Sequence, residues 1–129
     1  MGEAMAKLTL RVDFDDATRL GPGKIRLLEL IGERGSISAA GRGMGMSYRR
    51  AWLLVDSLNH CFKEPVVLTQ LGGSGGGGAA LSGFGRTVVD NYRAMEDEVA
   101  AVVARRLEML EGALASGQDR LEEPDQPGN

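Results

Sequence analysis

The chain has 129 residues, enough for one ordinary domain and too few for two. About 43% of them are apolar and 26% charged, a globular balance rather than a disordered or fibrous one. The formal net charge of -3 excludes a generally basic nucleic-acid coat, and no apolar run is long enough for a transmembrane helix.

The first residues lack an apolar secretory core, so the expected location is the cytoplasm. Cys61, the only cysteine, can form neither an internal disulfide nor a thiolate metal cage. The average charge conceals a bipolar chain. Between Lys24 and Arg50 the cations Lys24, Arg26, Arg34, Arg42, Arg49 and Arg50 are opposed only by Glu29 and Glu33. From Glu96 onward nine acids face Arg105, Arg106 and Arg120. The basic half is suited to phosphate, although charge runs of this kind also occur as plain solvated faces.

Leu8, Leu10 and Val12 alternate with Thr9, Arg11 and Asp13, which predicts a short edge strand. Turn formers follow, sharpest at Gly21-Pro22-Gly23. Ile25, Leu28 and Ile31 then recur at helical spacing up to Gly35, a residue suited to a C-terminal cap, so a first helix is expected over residues 23–34. Ser36 or Ser38 can cap a second helix running to Met44, where Gly45 breaks it. Ser47 can cap a third, on which Tyr48, Ala51, Trp52, Val55 and Leu58 form one contiguous stripe and read as core. Two helices joined by a short glycine turn make a helix-turn-helix.

Residues 66–71 and 79–81 read as strands, with a loop almost bare of side chains across the glycines of 72–78. Strand, tip and strand form a hairpin, the wing of a winged helix-turn-helix. Ser82 caps a long last helix whose apolar positions include Val88, Tyr92, Met95, Val99, Val103, Leu107, Leu110 and Leu114. A domain this small cannot cover the whole stripe, so Tyr92, Met95, Val99, Val103, Leu107 and Leu110 are expected to pair with a second subunit. Residues 1–115 thus form the folded unit and residues 116–129, rich in Gly, Pro, Gln and acid, a disordered tail.

Chemistry finds little foothold. Gly85-Arg86-Thr87 lacks the lysine of a P-loop and has Ala80 where the first glycine belongs. The GxGxxG spacing at Gly73–Gly78 leads into a strand, not a helix. His60 and Cys61 are chain neighbours that point apart on a helix, too few for a nucleophile pair or a metal site. No enzyme and no metal are expected. The strongest constellation is Ser47-Tyr48-Arg49-Arg50 at the start of the third helix. Arginine reads guanine edges or holds phosphate, the helix's first turn is the part that enters a major groove, and its free N–H groups suit phosphate.

The segments Gly35-Ser36-Ile37-Ser38-Ala39-Ala40 and Met46-Ser47-Tyr48-Arg49-Arg50-Ala51-Trp52 resemble the N-terminal domain of the ModE-type molybdenum-dependent transcriptional regulators. So do Leu58-Asn59 and the glycine run up to Ala79-Ala80-Leu81-Ser82. The likeness extends over residues 8–110 and includes a similarity to the winged helices of LysR-type regulators. It implies a mainly α fold with a small β-sheet, and a homodimer paired through the first and last helices on palindromic duplex DNA. By matching positions, Ser47, Tyr48, Arg49 and Arg50 become the reading segment, while Arg42, Gly75, Gly76 and Gly77 become backbone contacts. The regulated genes implied are molybdenum-related or other transport genes. The family's C-terminal molybdate-binding domains would begin where this chain stops, and no small polar, basic loop follows Leu114. The expectation is therefore a stand-alone DNA-binding version with no cofactor, molybdate included. Two alternatives stay open: a winged-helix protein-interaction module, and an oxyanion sensor at the dimer interface.

Overall fold

The computed structural model describes residues 6–73 and 76–115. The expectations for Gly75 and for a tail over 116–129 lie outside these residues. The fold is mainly helical with two small antiparallel sheets, in the order β1 (Val12–Asp13), β2 (Arg19–Leu20), α1 (Pro22–Arg34), α2 (Ile37–Gly43), α3 (Tyr48–Cys61), β3 (Val67–Gly73), β4 (Gly76–Leu81) and α4 (Gly83–Gly112).

The strand expected over residues 8–12 is largely absent. Only Val12 and Asp13 pair, with Leu20 and Arg19, because no further strand lies beside the earlier residues. The alternation there serves packing instead: Leu10 and Val12 lie half-buried against the core, and the Tyr92 hydroxyl donates to the Leu10 carbonyl. Asp15 closes the hairpin by accepting from the N–H groups of Ala17 and Thr18 at 2.8 Å each.

Helix α1 is the centre of the core. Pro22 starts it with a φ already suited to a helix. Ile25, Leu27, Leu28, Leu30 and Ile31 are all buried. Gly35 ends it at φ 77°, its N–H donating to the Ile31 carbonyl. The next cap is Ser36, not Ser38: the Ser36 hydroxyl accepts from Ala39 N–H at 2.9 Å. Gly41, which no local pattern singles out, lets α2 and α3 meet, since a Cβ there would lie 3.0 Å from that of Ala51. Gly45 then turns the chain at φ 69°, and the Ser47 hydroxyl caps α3 by accepting from Arg50 N–H at 3.1 Å.

The α3 stripe is narrower than expected. Ala51, Val55 and Leu58 are buried, but Tyr48 is 57% and Trp52 44% exposed, so both leave the core. Strands β3 and β4 continue into the glycine run, pairing Gln70 with Gly78 and, after an irregularity, Gly73 with Gly76. Glycine lacks a side chain but keeps both ladder groups, so the expected loop over 72–78 is shorter than its composition suggests.

The Ser82 hydroxyl starts α4, accepting from Gly85 N–H at 2.8 Å and donating to the Pro65 carbonyl at 2.6 Å. Val88, Val89 and Tyr92 then pack into the core, and Arg93 pairs with Glu29 of α1 and with Glu96 at 2.9 and 2.8 Å. Tyr92, expected in a subunit interface, is fully buried in its own protomer because α1 and the segment at Leu10 already cover it. Farther along the helix this cover ends. Val99, Val103 and Leu107 are half-buried, and Val102, Met109 and Leu110 are 81%, 77% and 66% exposed.

Candidate nucleic-acid interface

The candidate site is the corner made by α2, the Gly45 turn and the first two turns of α3. From Arg34 to Val55 the chain holds four arginines and not one acid. Outside the corner Arg11 and Arg19 meet Asp13, Arg26 meets Glu29 and Glu33, and Arg93 meets Glu29 and Glu96, while Arg86, Arg105 and Arg106 of α4 meet no carboxylate among the described residues but have acids close by in sequence. Among the described residues Arg34, Arg42, Arg49 and Arg50 reach no carboxylate. Arg34 donates to the Ala39 carbonyl at 3.2 Å and lies against Gly43, where a Cβ would come within 2.7 Å of it. Arg42 donates to the Ser38 hydroxyl at 2.9 Å. These are neutral partners, so the positive charge of the corner stays uncompensated.

Helical geometry distributes the first residues of α3 over its outer surface. Ala51, Val55 and Leu58 fix the inner side. Arg49 and Leu53, one turn apart, point outward; Tyr48 and Trp52, also one turn apart, flank them, and Arg50 lies on the opposite flank. Tyr48, Arg49, Trp52 and Leu53 together line a shallow open hollow. Ser47, at the cap, occupies one of the first N–H groups of α3 and leaves those of Tyr48 and Arg49 outside the intrahelical ladder. Helical spacing alone places Tyr48 and Trp52 in the core, whereas the family resemblance puts Tyr48 in the reading segment; the structure exposes both.

The hairpin of β3 and β4 is tied to this corner. Ala79 N–H donates to the Gly35 carbonyl at 2.9 Å, fixing β4 to the α1–α2 junction. Asn59 fixes β3 to the end of α3: its side-chain oxygen accepts from Val66 and Val67 N–H at 2.8 and 3.0 Å, and its amide donates to the Val67 carbonyl at 3.1 Å. Helix α3 and the strand pair are therefore set in a fixed relation. Gly76 and Gly77 fall at the start of β4, beside the hairpin tip.

The remaining chemical candidates stay apart from this corner. His60 is exposed and held by Asp56, whose carbonyl lies 2.7 Å from its Nδ1. Burial pushes the Cys61 thiol above its ordinary value, so it holds less thiolate and reacts less readily. Among the described residues no group of three His, Cys, Asp or Glu side chains is placed to hold a metal ion. None of the described helices is long and apolar enough to cross a membrane.

No protein-family model matches the chain. It is 40% identical over 106 residues to the molybdenum transport protein ModE of Azotobacter vinelandii, a match covering 82% of this chain and 38% of that protein. It is 42% identical over 86 residues to the molybdenum-pterin-binding protein MopB of Rhodobacter capsulatus, covering 67% of this chain and 32% of the relative. The DNA-binding transcriptional dual regulator ModE of Escherichia coli K12 is 32% identical over 87 residues, 67% of this chain and 33% of its own length. None of these names is that of an enzyme. The chain thus spans well under half the length of these relatives, and over the residues matched it belongs to the ModE-like family.

Proposed function

We propose that this chain is a winged helix-turn-helix regulator that binds duplex DNA as a homodimer. Residues 1–115 form the working unit, α2 and α3 the helix-turn-helix, and β3–β4 the wing. The observation that carries the reading is the uncompensated corner: Arg34, Arg42, Arg49 and Arg50 lie around a helix-turn-helix with no acid between residues 34 and 55. In a chain of net charge -3, such a concentration of cations is suited to phosphate and to base edges.

In this reading the first turn of α3 enters the major groove. Arg49 and Arg50 reach base edges, Tyr48 lies beside them, and Ser47 with the neighbouring N–H groups faces a phosphate. Arg42 holds the backbone from α2, and Gly75, Gly76 and Gly77 bring the hairpin tip close to an adjacent phosphate, where side chains would obstruct the approach. Met95, Val99, Val103, Leu107 and Leu110 pair two copies along α4. The relatives' names support regulation of molybdenum-related or other transport genes; the reading places this in the cytoplasm and assigns the chain itself no cofactor.

The test is selection of genomic fragments by the purified protein at about 150 mM salt, where non-specific binding is weak, with and without molybdate. An enriched palindrome supports the reading and names the genes. Enrichment that depends on molybdate assigns an oxyanion site to this chain. No enrichment in either condition overturns DNA binding in favour of a protein-interaction module.

A further inference from the structure

The hollow on the outer face of α3 is the part of the corner that charge does not explain. Tyr48, Trp52 and Leu53 are 57%, 44% and 48% exposed, side by side on the first two turns. Exposed apolar residues scattered singly need no explanation, but three large ones joined in one hollow form a patch that water disfavours. The core does not cover them, because α3 turns Ala51, Val55 and Leu58 inward. Arg49 lines the same hollow, Arg50 lies on the opposite flank of the same helix, the chain holds no acid from Arg34 to Val55, and Asp56, one turn farther on, marks where the acid-free stretch stops.

An occupant must therefore be apolar where it touches the ring faces and polyanionic around them. In duplex DNA the major groove presents one such apolar group, the 5-methyl of thymine; the other base edges there carry hydrogen-bonding atoms. We propose that Tyr48, Trp52 and Leu53 receive a thymine methyl, with Arg49 at the rim reaching an adjoining guanine. Trp52 and Leu53 then join the reading segment as specificity-determining residues. This inference rests on the DNA-binding reading and goes beyond it in naming the base and the chemical group read.

Uracil differs from thymine by that methyl alone. Random duplex pools synthesised with thymidine or with deoxyuridine are selected with the purified full chain at about 150 mM salt. The strongest duplex from the thymidine pool is then resynthesised with deoxyuridine at one thymine at a time. The expected result is one thymine in each half-site whose replacement weakens binding about fourfold, the value of one buried methyl-sized group. With Leu53→Ala the same replacement has no further effect. Trp52 is the only tryptophan, so its emission reports directly and shifts to the blue when the selected duplex covers it.

If every thymine tolerates deoxyuridine, or if Trp52 emission does not move on binding the selected duplex, the methyl reading is overturned while DNA binding stands. If neither pool enriches, both fall together.

Discussion

Arg50 occupies the third position of α3, where its N–H is held by the Ser47 hydroxyl and its guanidinium meets no acid among the described residues. Arg42 lies in the last turn of α2, tethered to Ser38. A cation in the first turn of a groove-entering helix reads base edges, whereas one on the preceding helix reaches the phosphate backbone. Arg50→Ala is therefore expected to relax specificity at one base pair by about 1–3 kcal/mol. Arg42→Ala should weaken all sequences alike and reduce the salt slope by about one. Equal losses across sequences from both variants would refute this division of roles. Asn59 works on stability instead. It satisfies the N–H groups of Val66 and Val67 and the carbonyl of Val67 where the chain enters β3, and Asn59→Ala leaves them without side-chain partners in a half-buried position. The expected loss is about 1–3 kcal/mol in urea unfolding, and an unchanged midpoint would refute it.

At the scale of elements, legibility followed distance along the chain. The caps at Gly35, Ser47 and Ser82 are bonds to backbone groups three or four residues away, so the local sequence announces them. Gly85 is different: a Cβ there would lie 2.1 Å from the Val66 carbonyl oxygen, a contact between elements that no local pattern reveals. Periodicity places Tyr48 and Trp52 in the core, but they are exposed, because it gives the direction of an apolar stripe and not the width of the arc a neighbour covers. The same limit hid the bond between α1 and α4. Arg93 bridges them through Glu29, and its guanidinium holds that carboxyl below its ordinary value near 4.5. The sign follows from linkage. A lowered folded-state value stabilises the protein above the unfolded value, and the contribution disappears as pH falls through the folded value. Glu29→Gln should therefore lower the urea midpoint at neutral pH, and the gap from wild type should close on acidification below about pH 4.5. A gap independent of pH would show that Glu29 acts through packing and not through its charge.

At the scale of the whole molecule, α4 is 30 residues long, about 45 Å, while the core it packs on ends near Arg93. Val88 and Tyr92 lie on the face turned to that core, and Val99, Val103, Leu107 and Leu110 continue the same face beyond it. The described N-terminal segment reaches that far, where Ala6 N–H donates to the Glu111 carboxylate. An apolar stripe that begins inside a core and continues into water is suited to a second copy of itself, with burial of each large side chain contributing about 1.5–3 kcal/mol. Two charges placed just past Tyr92 test this without entering the core. Met95→Glu with Val99→Glu is expected to give a particle near the 13.7 kDa of one chain by light scattering, with helix content retained. DNA selection then separates the two halves of the argument. A folded monomer keeps one α3 and one wing, so it should enrich a half-site where the wild type enriches a palindrome, and bind it more weakly. A variant that remains a dimer removes the α4 pairing. A monomer that still selects the full palindrome removes the link between pairing and operator symmetry, and α1 or the N-terminal segment would then have to set the spacing of the two reading helices.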